Sequence, residues 1–350
     1  MTELVDIKIG YKLNMNKKYK DQKHVFLFLS VLILLTGCIQ NGLNKIGTLT
    51  IPDEVSILFH QKTVQNDKYI YAFNTNNIFV FEISPMETLE FYRAYKILEN
   101  PSIIDFVIKS KYAYLISSET DTLDTIRMDH DDNSFEKMGS IRFSHTPVWV
   151  FVDNNRLIVH ERHNTSPPDK YGTTNIFDIS NPENPTLMAS HYGLWLPFGV
   201  ADGIIFAVRR DSAGHFLYMV DIADPKDPKT IYSQEMQSFY PKDVEVAGSY
   251  IYISGLNGIS VYKFSKSQNP ILLGEENEVG MVGSIKVNGK YLYFANIDGG
   301  FGVIDISDPK NMKKVFRKKT HGEWYNLEVY DGAVYFIHSD KIDVYGEYSK

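Results

Sequence analysis

Seven copies of one pattern run along the chain: a turn, a strand of alternating aromatics, a second turn, and a strand ending in a phrase like Asp-Ile-Ser-Asp-Pro. The plainest copies are Asn288-Gly289-Lys290-Tyr291-Leu292-Tyr293-Phe294 leading to Val303-Ile304-Asp305-Ile306-Ser307-Asp308-Pro309, and Asp202-Gly203-Ile204-Ile205-Phe206 leading to Val220-Asp221-Ile222-Ala223-Asp224-Pro225. Aligned on the acidic slot of that phrase, the copies fall at Glu82, Arg127, Asp178, Asp221, Lys263, Asp305 and Gly346, between 41 and 51 residues apart. A unit of this size cannot bury both faces of its own sheet, so the units must pack on one another.

Within each unit the local chemistry points to strands. Val287-Asn288-Gly289 and Val329-Tyr330-Asp331-Gly332 supply the positive φ angles of tight hairpins. Tyr69-Ile70-Tyr71-Ala72-Phe73 and Tyr250-Ile251-Tyr252-Ile253 alternate with period two. The proline pairs Pro182 with Pro185 and Pro225 with Pro228 break the ladder before a fourth strand such as Ile271-Leu272-Leu273-Gly274. Four antiparallel strands per unit predict an all-β, seven-bladed propeller over residues 46–350. The last copy stops after its third strand, Ile342-Asp343-Val344-Tyr345. The segment Ile46-Gly47-Thr48-Leu49-Thr50-Ile51 is expected to supply the missing strand and close the ring.

The N-terminus reads as an address. Val25 to Leu35 is a short apolar run behind Lys17, Lys18, Lys20 and Lys23, the layout of a secretory signal. In a helix those residues reach only about 16 Å, half a bilayer core. Leu35-Thr36-Gly37-Cys38 follows and resembles the lipobox of lipoprotein precursors, which implies lipid on Cys38, the chain's one cysteine. The expected organisation is a signal over residues 1–37, with Met15 as an alternative start, a lipidated Cys38 with a tether to residue 45, and the propeller beyond. The whole chain carries a formal charge of −7, and removal of the lysine-rich signal leaves 30 basic against 40 acidic residues. That balance opposes nucleic-acid binding, which needs basic surface against phosphates.

The phrases at 175–185, 219–228 and 303–311 resemble the LVIVD repeat of secreted and surface β-propellers of bacteria and archaea. The resemblance implies the propeller fold and a cell-envelope setting, with no defined activity. Because the acidic slot holds Glu82, Arg127, Lys263 and Gly346 in four copies, it reads as structural.

No nucleophile elbow, phosphate-cradling loop or paired metal-ligand motif stands out, so no catalytic residue, metal site or cofactor is assigned. Candidates for partner binding come from one rim, where the fourth-to-first strand connections meet the loops between strands two and three. Trp195, Phe198, Tyr240, Trp324 and Tyr325 lie there, with Trp149, His145, His191 and His321 nearby. Two roles are open to these rings: stacking a ligand, or plugging gaps between blades. The widest repeat carries an insertion from His160 through Arg162 and His163 to Tyr171 on the same rim. Asp129-His130-Asp131-Asp132-Asn133 is similar to a calcium loop but lacks the glycine and glutamate that such a loop needs. The expected function is a lipid-anchored, extracytoplasmic binding module for an envelope protein, peptide or glycan. An extracytoplasmic lyase or hydrolase working at the central mouth is the alternative.

Overall fold

A computed structural model describes residues 43–50, 64–66, 69–73, 77–83, 89–96, 102–129, 134–163, 172–193, 196–211, 214–236, 240–265, 268–320, 324–330, 332–338 and 341–348. These residues form four-stranded antiparallel sheets, each made of consecutive strands: 64–96, 103–142, 146–192, 196–235, 241–276 and 282–318, here blades one to six. A further sheet, blade seven, joins three strands of 324–346 to Lys45–Thr50. The first strand of each blade lies innermost, and these inner strands touch in chain order, with that of blade seven meeting that of blade one.

The expectation of a seven-bladed propeller is corrected to six regular blades. Six blades carry inner strands of six to eight residues. The described inner strand of blade one is only Val64–Asn66. Among the described residues the regular ring is therefore six blades with inner strands of six to eight residues.

The repeat is explained by its contacts. The third residue of the second strand is a fully buried tyrosine in five blades (Tyr71, Tyr114, Tyr252, Tyr293, Tyr335), and Phe206 stands there in blade four. The side chain following the acidic slot is also buried, as Met128, Ile179, Ile222, Phe264 and Ile306. Its amide donates to the turn between the first two strands of the same blade: Met128 to Lys111, Ile179 to Asn155, Ile222 to Gly203, Phe264 to Ser249, and Ile306 to Lys290. The acidic slot itself caps a turn. Asp178 accepts from the Ser180 amide and hydroxyl, Asp305 from those of Ser307, and Asp221 from the Ala223 amide.

Blades are joined near the axis through a bulge in the inner strand. Each bulge leaves amides without a ladder partner, and an acidic or amide side chain takes them up. Asp105 accepts from its neighbour Phe106 at 2.9 Å and from Val150 in the next blade at 2.9 Å. Asp243 does the same for Val244 at 2.9 Å and Ile285 at 3.0 Å, and also receives the Ser284 hydroxyl. Ser284 lies 2.8 Å from Asn326, which accepts from Leu327. One residue thus satisfies two blades.

The Lys45–Thr50 strand pairs with the third strand of blade seven, Thr48 opposite Asp343 and Gly47 opposite Val344. Thr48 Oγ1 donates to Asp343 at 2.7 Å and Lys45 Nζ lies 2.7 Å from the same oxygen. Burial favours the neutral acid, yet these two donors outweigh it and hold the Asp343 carboxyl below its ordinary range.

Two residues further along the inner strands of blades five to seven, Lys286 Nζ sits 3.7 Å from Glu245 and 4.0 Å from Glu328. Glu328, against desolvation, keeps the lysine above its usual range. Desolvation, opposed by Lys286, pushes Glu245 up to about 7.

Two outcomes follow from the axis. Asp243→Ala strands three donors and should cost about 3 kcal/mol in chemical denaturation, well more than the exposed turn change Asp178→Ala. Glu245 binds its proton more tightly in the folded state, so its contribution is complete in acid and is lost as pH rises from about 4.5 through about 7. Glu245→Gln should therefore gain about 2 kcal/mol on wild type between pH 5 and pH 8, read from the same denaturation curves.

Candidate functional site

The rim of blade three gathers a cluster of aromatic and imidazole rings. Its second strand, Arg156–Arg162, ends on this rim and delivers His160, Glu161, Arg162 and His163 in succession. His160 is fully buried, whereas Arg162, on the same face of the strand but at its end, is exposed. His163 stacks on His145 with ring centres 3.7 Å apart and planes at 19°. Tyr192, at the end of the outer strand Thr186–Tyr192, lies 5.1 Å from His163 on the other side and is 57% exposed. Together these rings form a ladder of Tyr192, His163 and His145 at the surface. Beneath it Trp149 lies 5.7 Å from His160.

A buried polar chain holds the ladder in place. Glu161 Oε2 accepts from the His145 backbone amide at 2.9 Å, and Oε1 accepts from Asn175 Nδ2 at 2.5 Å. Asn175 Oδ1 in turn receives the Ser190 hydroxyl at 2.6 Å. Three strands and one connection are tied through a single carboxylate. Asn296 occupies the matching place in blade six, opposite the inner-strand bulge, and there donates to the carbonyls of Val279 and Met281. Both residues fasten the fourth-to-first connection to the second strand. In blade three that fastening also fixes where His145 stands.

His163 Nε2 meets the Thr173 hydroxyl at 2.9 Å. Burial first, then the neighbouring His145, lowers its pKa, with Glu161 pulling the other way. The ring is therefore neutral at neutral pH. Stacked imidazoles present parallel planes, and their lone pairs lie in those planes, so the pair cannot close on one metal ion. Among the described residues no group of three or more His, Cys, Asp or Glu is placed to hold a metal.

The remaining candidates sort differently. Phe198 is half-buried and packs against the core between blades four and five. Phe198 and Tyr325 are the bulged residues of their inner strands. Tyr240 stands on the rim with half its surface exposed. Trp195, the insertion 164–171, His130–Asn133, Phe239, His321 and Cys38 lie outside the described residues, as do the side chains of Trp324 and Tyr325. Sequence reasoning passed over Tyr192. Its signal was the pair His191-Tyr192 ending an outer strand just before Gly193, where an aromatic has no core to enter.

A cavity of about 740 Å³ opens on the opposite face, lined by Lys109, Asp153, Arg156, Asp178, Asp202 and Asp221 among others. Its polar groups are largely occupied by the fold. Lys109 donates to Asn154 and Asn155, Arg156 to the carbonyls of Ile222 and Ala223, and Asp153 accepts from Gly203. It reads as the seam between three blades.

The LVIVD repeat family model matches residues 170–192 and 279–320. Comparison with curated proteins finds no match. Among solved structures, a chain of a mitotic checkpoint complex is 10% identical, with 99% of each chain covered and a TM-score of 0.68. The Pan2 WD40 domain of Neurospora crassa is 10% identical over 89% of this chain and 97% of its own, TM-score 0.63. BamB of Moraxella catarrhalis is 10% identical over 88% and 98%, TM-score 0.53. At such identities the likeness shows the fold alone. With LVIVD repeat segments matched in blades three and six and a ring of four-stranded sheets around them, the chain is a β-propeller that carries LVIVD repeats.

Proposed function

We propose that this propeller is a lipid-anchored binding module of the cell envelope, with the rim of blade three engaging a protein or peptide partner. The observation that carries the reading is the ladder of Tyr192, His163 and His145, an exposed aromatic surface braced from below by Glu161, Asn175 and Ser190. Rigid rings give contact area at little entropic cost, and a braced ring costs least. Propellers such as that in the mitotic checkpoint complex occur in protein assemblies, in keeping with a protein partner.

The path of the chain supports the anchor. Lys45 pairs with Tyr345, and the Gly346 amide donates to Asn44, at the end of blade seven where Glu347 meets the Gly332 turn. That end belongs to the face opposite the ladder. Four residues separate Cys38 from Leu43, whose side chain is buried in the core beside Tyr345 and Tyr348. A lipid on Cys38 would hold the ring within about 17 Å of the bilayer. The ladder would then point away from the membrane, toward partners.

Tyr192→Ala should leave the melting temperature nearly unchanged, since the ring is largely exposed, while capture of the envelope partner falls at least tenfold. Retained capture would overturn the rim assignment. Cys38→Ser should abolish incorporation of labelled fatty acid and release the protein from membranes; unchanged labelling would refute the anchor.

A further inference from the structure

We propose that the ladder receives an acidic segment of the partner, and that it binds that segment more tightly as the medium becomes mildly acidic. The inference rests on the rim reading above and names the partner's chemistry.

The groups facing the ladder can be counted from each element around it. Strand two brings His160, Glu161 and Arg162; the outer strand brings His191 and Tyr192; strand three brings Thr173; the inner strand brings Trp149. His160 is buried with Nδ1 on Thr174, and His191 Nε2 meets the Pro225 carbonyl, so both are engaged within the fold. Glu161 is the carboxylate closest to the pair, 3.8 Å from His145 Nδ1, but it is buried and each of its oxygens already accepts a hydrogen bond. Among the described residues, the charged or protonatable groups facing the solvent here are therefore Arg162, the exposed part of His145, and His163.

Stacking makes this pair sensitive to an anion. Two imidazoles 3.7 Å apart repel once both are charged, and the buried Glu161 can offset only part of that. An incoming carboxylate supplies the missing counter-charge. Binding and proton uptake are then linked: the anion raises the affinity of the pair for protons, and protons raise its affinity for the anion. Arg162 adds its guanidinium charge beside the pair. The chain as a whole carries a formal charge of −7, so attraction for an acidic partner has to come from local basic groups such as these.

The test uses the full chain and fluorescence anisotropy of a labelled Glu-rich peptide, with Gln-rich and Lys-rich peptides as controls. The Glu-rich peptide should bind at least tenfold more tightly at about pH 5.5 than at about pH 7.5, and the controls should not. His145→Gln with His163→Gln should erase that gap, and Arg162→Gln should weaken binding at both pH values while keeping it. His145→Gln retains the backbone amide that Glu161 holds, and melting curves report folding; if the double variant does not fold, His163→Gln alone must shrink the gap. Equal affinity at the two pH values, a gap that survives loss of both imidazoles, or equal binding of the Lys-rich peptide would overturn the proposal. If the acidic peptide fails while Tyr192→Ala still abolishes partner capture, the acidic class falls and the rim reading stands.

Discussion

A sheet that is apolar on both faces can be stable only between two others, and the ring of this protein is the geometric answer to that constraint. Tyr114, Tyr252, Tyr293 and Tyr335 have no solvent to meet because each sits under the neighbouring blade. The constraint has a polar counterpart. Crowding inner strands around an axis forces bulges, and bulges expose amides that no ladder can satisfy. Asp105 and Asp243 answer this with one carboxylate for two blades. The same few atoms therefore finish one blade and begin the next, which is why a ring can be assembled from units that could not stand alone.

Closure follows the same economy. Thr48 and Lys45 converge on Asp343, so the strand that completes blade seven is held by charge as well as by its ladder. The ends of the folded chain thus meet in one sheet, and the strand Lys341–Gly346 is covered instead of forming its edge.

Much of this was legible in the sequence because it is local. Asn288-Gly289 announced a hairpin, and Gly289 has φ of 58°. The phrase around Asp305 announced a capped turn, and Asp305 caps it. The segment at Thr48 had strand chemistry and no neighbour in sequence, and it found one across the ring. What stayed hidden depends on the adjacent blade or on a distant strand. Nothing near Asp105 in the chain reveals that its second oxygen belongs to Val150. Equally, Glu161 gives no local sign that it holds the His145 amide. His163 read as part of an insertion, and its stacking partner lies on a different connection.

The two charged assemblies of the ring differ in a way that bears on function. At the axis Lys286 is enclosed by carboxylates from both neighbouring blades, and its charge is spent on holding them together. At the blade three rim the order is reversed: a single buried carboxylate lies beneath, and the protonatable rings lie above it, toward solvent. Glu161 is engaged by the backbone of one connection and the side chain of a neighbouring strand, so it positions His145 without neutralising the surface. An arrangement that fixed both imidazoles inside the protein would serve stability alone. One that fixes their backbone and leaves their edges exposed keeps a charge-bearing surface available to something outside the fold.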